Sequence, residues 1–320
     1  MKLKNLLWCA VFMALGQAVF GQQTHLSLST SDRQQIDLYE DTLAVLGYAV
    51  VNDSLADNRF LACREMIVRL KQALKAPGSF AYPFDRLKSI SIQYPQDSSF
   101  RIFSWQLYVD KDEYRYFGAI QMKSQELELI PMQDRSFQIT EDPEKAVLDT
   151  DHWYGALYYN IKRFDTPDGP DYLLFGFDGY EFYYKRKVID VLRIRNGKAT
   201  FGAPVFYHPA TAESPESTKS RIVREYSAAA TVRVNYDPTY EMIMFDHLVP
   251  GGGQYGEGIT YYPDGSYEGY RLQSGKWIYV EKVFNQVSAE APRDYPVLKG
   301  GRIGDNTNIF GNKGRGRGKN

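Results

Sequence analysis

From Leu87 to Phe284 the sequence is a succession of short β-strand patterns, and this constrains the fold more than any other feature. Tyr, Phe, Val, Ile and Thr dominate the stretch, and turn residues interrupt it about every eight to twelve positions. No long helical pattern separates the roughly fourteen strand candidates, and parallel pairing needs long crossovers. We therefore predict a mainly β fold, an antiparallel meander of many short strands arranged as a propeller or a sandwich.

Local turn signals place several hairpins. "RIRNGKATF" predicts a hairpin with Asn196-Gly197 as its two-residue turn, because that turn needs positive φ twice. "YYPDGSYEGY" predicts another, with its turn at Pro263 to Ser266, and "YVDKDEYRYF" places charges at a third tip. Residues Glu141 to Leu148 fit a short helix.

Three proline turns, each leading into an apolar strand, recur at nearly equal spacing. They lie at Pro95, Pro167 and Pro238, in "QYPQDSSFRIFSW", "DTPDGPDYLLFGF" and "NYDPTYEMIMFDH". In each case a strand, turn and strand precede a further hairpin. Three similar sheets packed around an axis would produce this pattern, and chance spacing of turn prolines in a strand-rich chain is the other interpretation.

An N-terminal helical hairpin precedes the strands. Apolar residues recur at spacings of three and four in two successive segments, and each set makes one stripe of a helix. Asp53 or Ser54 can cap the second helix. The stripes are Ile36, Tyr39, Leu43, Leu46, Val50 and Phe60, Cys63, Ile67, Leu70, Leu74.

The pattern divides the chain into four parts. A basic start and a short apolar run predict a secretory signal over 1–21, followed by a helical segment over 22–80. An antiparallel β domain spans 81–286, and a flexible Gly- and Arg-rich tail spans 287–320. The apolar run is too short for a membrane span, so we expect an exported protein, periplasmic or extracellular, without a transmembrane segment in the mature chain. Cys63 alone remains after cleavage, which rules out an intrachain disulfide.

Charge argues against a nucleic-acid partner. The whole chain has a formal net charge of −1, and the tail holds a disproportionate share of the basic residues. The body is therefore mildly acidic, whereas nucleic-acid binders usually present a basic face.

"FDHLVPGGGQYGEG", Phe245 to Gly258, combines an acid, a histidine and five glycines. It fits a strand that runs into a glycine-rich loop, because no helix follows to present its amides to phosphate. Neighbours on a strand point to opposite faces, so Asp246 and His247 do not form a dyad by adjacency. A glycine loop that lines a binding site is the alternative.

The sequence lacks the familiar catalytic and cofactor motifs. It has four histidines, His25, His152, His208 and His247, and none pairs with another at a metal-ligand spacing. A site assembled by the fold from the last three is the alternative to no metal site. Nucleophile motifs such as G-x-S-x-G are absent, and we predict no cofactor.

Aromatic residues are the excess, at 15% of the chain, and concentrate in "HWYGALYYN" and "GFDGYEFYYKRK". Exposed Tyr rings offer flat faces to sugars or peptides. The run Lys185 to Lys187 fits a solvated hairpin tip or an anion site. We predict a binding site at the strand ends near Trp153, Asp178, Asp246 and His247, where turns would close the three units.

Several fragments together resemble a family of uncharacterised exported proteins of Bacteroidetes-type bacteria. They are "SFAYPFDRLKSISI", "FRIFSW", "WYGALYYNI", "RKVIDVL", "FGAPVF", "MIMFDHL" and "PDGSYEGY", from about Phe80 to Phe284. The family has no established activity, so the resemblance implies export and one shared module, and no functional residue.

Three functional hypotheses follow. The first is an exported, non-enzymatic protein that binds an envelope protein or a glycan, which predicts exposed aromatic rings. The second is a hydrolase of glycan or another extracellular polymer, which predicts a cleft lined by paired carboxylates. The third is an accessory of an envelope complex that docks through the helical hairpin, which predicts a second, exposed apolar face on that hairpin.

Overall fold

A computed structural model describes residues 26–212, 214–253 and 258–284. The predicted signal over 1–21 and the predicted tail over 287–320 lie outside the described residues. Two helices, α1 (Thr30–Asn52) and α2 (Ala56–Leu74), form the predicted hairpin and precede all of the strands. The helices and the strands belong to one compact unit that ends at Val283.

Helix α1 begins at an N-cap that the sequence encodes. The Ser29 hydroxyl accepts a hydrogen bond from the amide of Asp32, which satisfies one of the free amides of the first turn. The predicted stripe is confirmed, because Ile36, Leu43 and Val50 are buried at its centre. The inner face of α1 therefore packs as its 3.6-residue period predicts.

The stripe of α2 is rotated from its predicted position. Cys63, Leu70 and Leu74 are buried, but Phe60 and Ile67 are 41% and 39% exposed. Arg59 and Met66 are buried in their place. The burial of Arg59 is satisfied because its guanidinium donates to the backbone oxygens of residues 53, 108 and 109. The cap prediction was also wrong, since the N-cap is Leu55 without a side-chain hydrogen bond.

Cys63 is a buried thiol, as its place on the stripe predicts. Its sulfur accepts a hydrogen bond from the Trp105 indole at 3.4 Å. Burial raises the pKa of Cys63 to about 11, which keeps the thiol protonated at neutral pH. No second cysteine lies within disulfide distance of it in the described part of the chain.

Sixteen strands follow the hairpin in the described residues. In chain order they are β1 (Ser91–Gln93), β2 (Phe100–Asp110), β3 (Glu113–Met122), β4 (Leu129–Gln133), β5 (Leu148–Asp149), β6 (Leu157–Thr166), β7 (Gly169–Asp178), β8 (Tyr184–Arg195), β9 (Lys198–Phe201), β10 (Phe206–His208), β11 (Ser217–Lys219), β12 (Ile222–Ser227), β13 (Val234–Asp237), β14 (Met242–Gly252), β15 (Ile259–Gln273) and β16 (Lys276–Val280).

The strands form three sheets, and all of their pairings are antiparallel except β10 with β16. Sheet 1 has the order β1-β2-β3-β4. Sheet 2 has the order β5-β9-β8-β7-β6, and β12 also pairs with β8. Sheet 3 has the order β11-β10-β16-β15-β14-β13. The prediction of a mainly β, antiparallel fold with an N-terminal helical hairpin is confirmed.

Each sheet contains one four-strand meander, and each predicted proline turn opens one of them. Pro95 lies between β1 and β2, Pro167 between β6 and β7, and Pro238 between β13 and β14. A long hairpin and a fourth strand follow in every case. The near-equal spacing of the prolines therefore marks the start of three corresponding units.

The sheets and the hairpin stack in layers with three apolar cores between them. One face of β2, with Phe103 and Trp105, packs against the helices, and its other face, with Phe100 and Ile102, packs against sheet 2. The far face of sheet 2, with Phe175, packs against sheet 3. Strict alternation along buried strands produces these two-faced cores.

Two local predictions were wrong. Pro263 to Ser266 lie within β15 rather than in a hairpin turn, because the register of β14 with β15 shifts there and forms a bulge. The Asp264 carboxylate accepts from the Ser266 amide, so the residues that are typical of a turn stabilise the bulge instead. Residues 141–148 form turns and the start of β5 instead of a short helix, with the Asp142 carboxylate accepting from the amide of Glu144.

The outer face of the hairpin exposes large apolar side chains. Leu38 and Val45 are each 71% exposed on the side of α1 opposite its buried stripe, and Tyr48 and Leu61 are 67% and 60% exposed. This exposed second face is the feature that the docking hypothesis predicts. Within the described ranges, neither helix has the length and hydropathy that a membrane span requires.

Candidate functional site

A cleft of about 500 Å³ opens between the ends of β3 and β7, where sheets 1 and 2 meet. We call it the Asp178 cleft. Its volume is within the range of about 300 to 1,000 Å³ that is usual for small-molecule sites. The lining residues are Asp112, Glu113, Tyr114, Arg115, Tyr116, Ser136, Phe137, Ile139, Pro143, Tyr154, Asp178, Tyr180, Glu181 and Arg186.

The carboxylate of Asp178 is held by tyrosines. The Tyr116 hydroxyl donates to one oxygen at 3.0 Å, and the Tyr154 hydroxyl donates to the other at 3.3 Å. The Tyr180 amide donates a third hydrogen bond at 2.9 Å. Burial raises the pKa of Asp178, while these donors partly oppose the shift. The cleft therefore contains one oriented, poorly solvated carboxyl group and two oriented phenol groups.

A turn with a strained backbone forms one wall of the cleft. Tyr180 has φ of 47°, which lies in the left-handed region. A residue with a side chain adopts this conformation only at a cost in free energy. The preceding Gly179 donates to the Tyr116 hydroxyl at 2.6 Å, and a Cβ there would lie 3.0 Å from the Tyr114 ring. The Arg186 guanidinium lies 3.2 Å from the centre of the Tyr180 ring. The turn is thus fixed by its contacts on both sides.

The rim combines aromatic rings with charges of both signs. Phe137 is 66% exposed, and the Arg115 guanidinium lies 5.0 Å from the centre of its ring. Arg115 also forms an ion pair with Glu113 at 2.5 Å. Flat rings beside charged hydrogen-bonding groups suit a ligand that has both apolar faces and hydroxyl groups.

Of the four predicted site residues, Asp178 lines this cleft and Trp153 lies beside it. Trp153 is fully buried, and its indole donates to the Tyr158 hydroxyl at 2.8 Å. The next residue, Tyr154, reaches the cleft and Asp178. Trp153 therefore supports the cleft from within the core rather than contacting a ligand.

The structure places Asp246 and His247 elsewhere, on β14 in sheet 3. The Asp246 carboxylate accepts from the Arg233 amide at 2.6 Å, and the His247 ring contacts Asp264 at 2.9 Å. Each residue has its own partners, as the alternation of a strand predicts. The following Gly251 and Gly252 continue β14 and pair with β15, so the strand extends further into the glycine run than predicted.

His208 and Glu268 line one pocket of sheet 3, in which Glu268 is buried on the interior strand β15. The His247 ring lies 3.5 Å from the Glu268 carboxylate, while His208 contacts the Tyr270 hydroxyl and stacks on Tyr279. His152 lies apart and contacts Asp149. No group of three His, Cys, Asp or Glu side chains in the described residues has the arrangement of a metal site.

We expect the stability of the protein to fall as the pH drops from about 6.5 towards 4. Burial, followed by Lys219 and Arg224, lowers the pKa of His208 from 6.5 to about 4. Because the folded protein lowers the pKa of this base, the contribution of His208 to folding stability is complete above pH 6.5. It is lost as the pH falls from 6.5 to about 4. Tm measured from pH 7.5 to 4 should decrease less in His208→Gln than in the wild type. Equal slopes would contradict this assignment.

Most of the cleft was not predicted residue by residue. Arg115 and Tyr116 lie in "YVDKDEYRYF", which was predicted only as a hairpin, and Phe137 lies in a segment without a recognisable motif. The two aromatic segments singled out from the sequence do contribute, since Tyr154 and Tyr180 belong to them. The predicted solvated tip at Lys185 to Lys187 was wrong, because β8 begins at Tyr184 and the Lys185 ammonium donates to backbone oxygens of residues 179 and 181.

Comparison with known proteins adds no assignment: no family model, curated protein or solved structure matches the chain.

Proposed function

We propose that this protein is an exported, non-enzymatic binding protein that takes a sugar-like, polyhydroxylated ligand in the Asp178 cleft. One observation carries the proposal: two tyrosine hydroxyls and a buried carboxylate converge in a cleft walled by aromatic rings. Export rests on the signal pattern over 1–21 and on the resemblance to exported proteins. An envelope glycan is the partner that this chemistry favours.

The side chains that line the cleft indicate the class of ligand. Aromatic rings such as Tyr180 and Phe137 cover the apolar faces of a sugar ring. The Tyr154 hydroxyl and the Asp178 carboxylate offer polar atoms to ligand hydroxyls, whereas the Tyr116 hydroxyl already accepts from the Gly179 amide. Glu113 and Arg115 at the rim add acceptors and donors that remain hydrated in the free protein.

The experiment is calorimetric titration with cellopentaose, mannopentaose and chitopentaose. We expect one of them to bind, and Tyr180→Ala to weaken that binding at least tenfold, because it removes a stacking face and relaxes the turn. Tyr240→Ala is the matched control, since Tyr240 is 47% exposed beside sheet 3 and outside the cleft. Equal losses in both variants, or no binding by the wild type, would refute the proposal.

A hydrolase that uses the same cleft is the second candidate, because a carboxyl group with a raised pKa is suited to act as a general acid. Product analysis after long incubation with the same oligosaccharides separates the two functions. A binding protein leaves them intact. Cleavage that Asp178→Asn abolishes, while Asp246→Asn retains it, would establish the hydrolase instead.

Asp178 also predicts a stability effect. Its pKa in the folded protein is raised above 3.8, so its contribution is complete below that value and is lost as the pH rises through the raised pKa. We therefore expect Asp178→Asn to raise Tm at pH 7 and to leave it nearly unchanged at pH 3. A lower Tm at pH 7 would mean that the carboxylate is needed for folding rather than for a ligand.

A further inference from the structure

A second cavity, of about 490 Å³, is a groove between α2 and the edge of sheet 1. Ile67, Leu70 and Leu74 form its helical wall, and Phe117 and Leu129 form its sheet wall. It lies on the face of sheet 1 that packs against the helices, whereas the Asp178 cleft lies where sheet 1 meets sheet 2. The two cavities share no lining residue, although each takes different residues of β3.

The groove exists because the helices cover only part of the sheet. Both helices pack on β2, so the apolar side chains of β3 and β4 beyond it are left partly uncovered. Ala119 pairs with Phe103 on one side and Pro131 on the other, and its methyl group leaves the space open. Pro131 on the edge strand β4 lacks the amide that a further strand would need. The groove is therefore not a site for strand addition.

The chemistry of the groove is apolar with one cation. Lys71 is the single charged residue among its lining residues. Glu126 and Glu128 flank Leu127 in sequence but do not line the groove. One cation beside an otherwise apolar surface matches a ligand that has one apolar chain and one carboxylate.

We propose that this groove binds the chain of a free fatty acid, with its carboxylate at Lys71. Apolar contacts with Leu70, Leu74 and Phe117 would supply affinity for the chain, and the Lys71 ammonium would orient the head group. The proposal is independent of the Asp178 cleft, because a sugar-like ligand needs a surface with hydrogen-bonding groups, whereas an acyl chain needs an apolar surface.

The test is calorimetric titration of the full mature chain with octanoate, decanoate and dodecanoate below their micelle concentrations. Burial of one CH₂ group is worth about 0.8 kcal/mol, so we expect affinity to rise about fourfold for each added CH₂. Affinity that does not depend on chain length would overturn the proposal. Pelleting of the protein with anionic phospholipid vesicles, without binding of dodecanoate, would also overturn it and point to a membrane surface.

Two pairs of variants locate the bound chain. Ala119→Phe fills the groove and should abolish dodecanoate binding, whereas Leu61→Ser alters the exposed outer face of the hairpin and should not. If Ala119→Phe fails to fold, Leu129→Trp on the edge strand serves the same purpose. Lys71→Gln should weaken binding by up to about fivefold, while Lys75→Gln, outside the groove, should leave it unchanged. Wild-type affinity in the filled variants, or loss in Leu61→Ser, would refute the site.

Discussion

Asp190→Ala should destabilise the protein by about 3 to 5 kcal/mol, because it leaves a buried guanidinium without its counter-charge. Asp190 on β8 and Arg221 beside β12 are both fully buried, and their charged groups lie 2.8 Å apart. Arg221 also donates to the backbone oxygen of Pro143 at 2.6 Å. The pair thus joins β12 and a distant loop to the centre of sheet 2. Chemical denaturation of the variant measures the loss.

Two controls define what that loss means. The exposed ion pair of Glu113 with Arg115 has a similar distance, and Glu113→Ala should cost less than about 1 kcal/mol. The double variant Asp190→Leu with Arg221→Met should recover most of the stability, because it removes both buried charges. A small effect of Asp190→Ala, equal to that of Glu113→Ala, would show that water reaches the buried pair.

Arg101→Met should cost about 3 to 5 kcal/mol, since it leaves several buried acceptors without donors. Arg101 is fully buried on β2. Its guanidinium donates to the backbone oxygens of Ser79 and Tyr82, at 3.0 and 2.6 Å, and to the Gln121 side chain at 2.8 Å. It therefore holds the segment after α2 against sheet 1.

Aromatic rings replace a carboxylate around this cation. Its guanidinium carbon lies 4.7 Å from the centre of the Phe103 ring and 5.2 Å from that of Phe84. Burial lowers the pKa of Arg101, but it remains charged at neutral pH. Arg101→Lys keeps the charge but loses the planar set of N–H donors. We therefore expect its free energy of unfolding to lie between those of the wild type and Arg101→Met. Unfolding free energies that do not differ among the three would contradict this account.

The fold was largely predictable because its signals are local. Asn196 and Gly197, with φ of 50° and 73°, adopt the two left-handed conformations that their hairpin needs. The three proline turns each join the first two strands of a meander. Alternation and turn chemistry are properties of a few consecutive residues, and tertiary contacts did not overrule them there.

Predictions failed where long-range contacts decide the outcome. Asp264 and Gly265 have the chemistry of a hairpin turn, but β14 continues to pair on both sides of them, and they form a bulge. On α2, Arg59 is buried because backbone oxygens of β2 accept from it, and no helical period shows that. In both cases the partner lies far away in the sequence.

The candidate site illustrates the same limit. Asp178 was singled out as a residue at a strand end, and Tyr154 and Tyr180 lie in segments noted for their aromatic content. Their convergence with Tyr116 depends on the meeting of two sheets, which the sequence does not specify. Asp246 and His247 lie within β14 of sheet 3 instead of at a strand end, and their neighbouring groups are different.

Hydrogen exchange in the presence of the pentasaccharide that binds tests the central claim most directly. A ligand in the Asp178 cleft should slow the exchange of amides over 112–116 and 178–186, which border the cleft in two different sheets. Amides over 242–250 in sheet 3 should exchange as in the free protein. Slower exchange confined to sheet 3 or to the helical hairpin, with no change at 178–186, would contradict the assignment of the site.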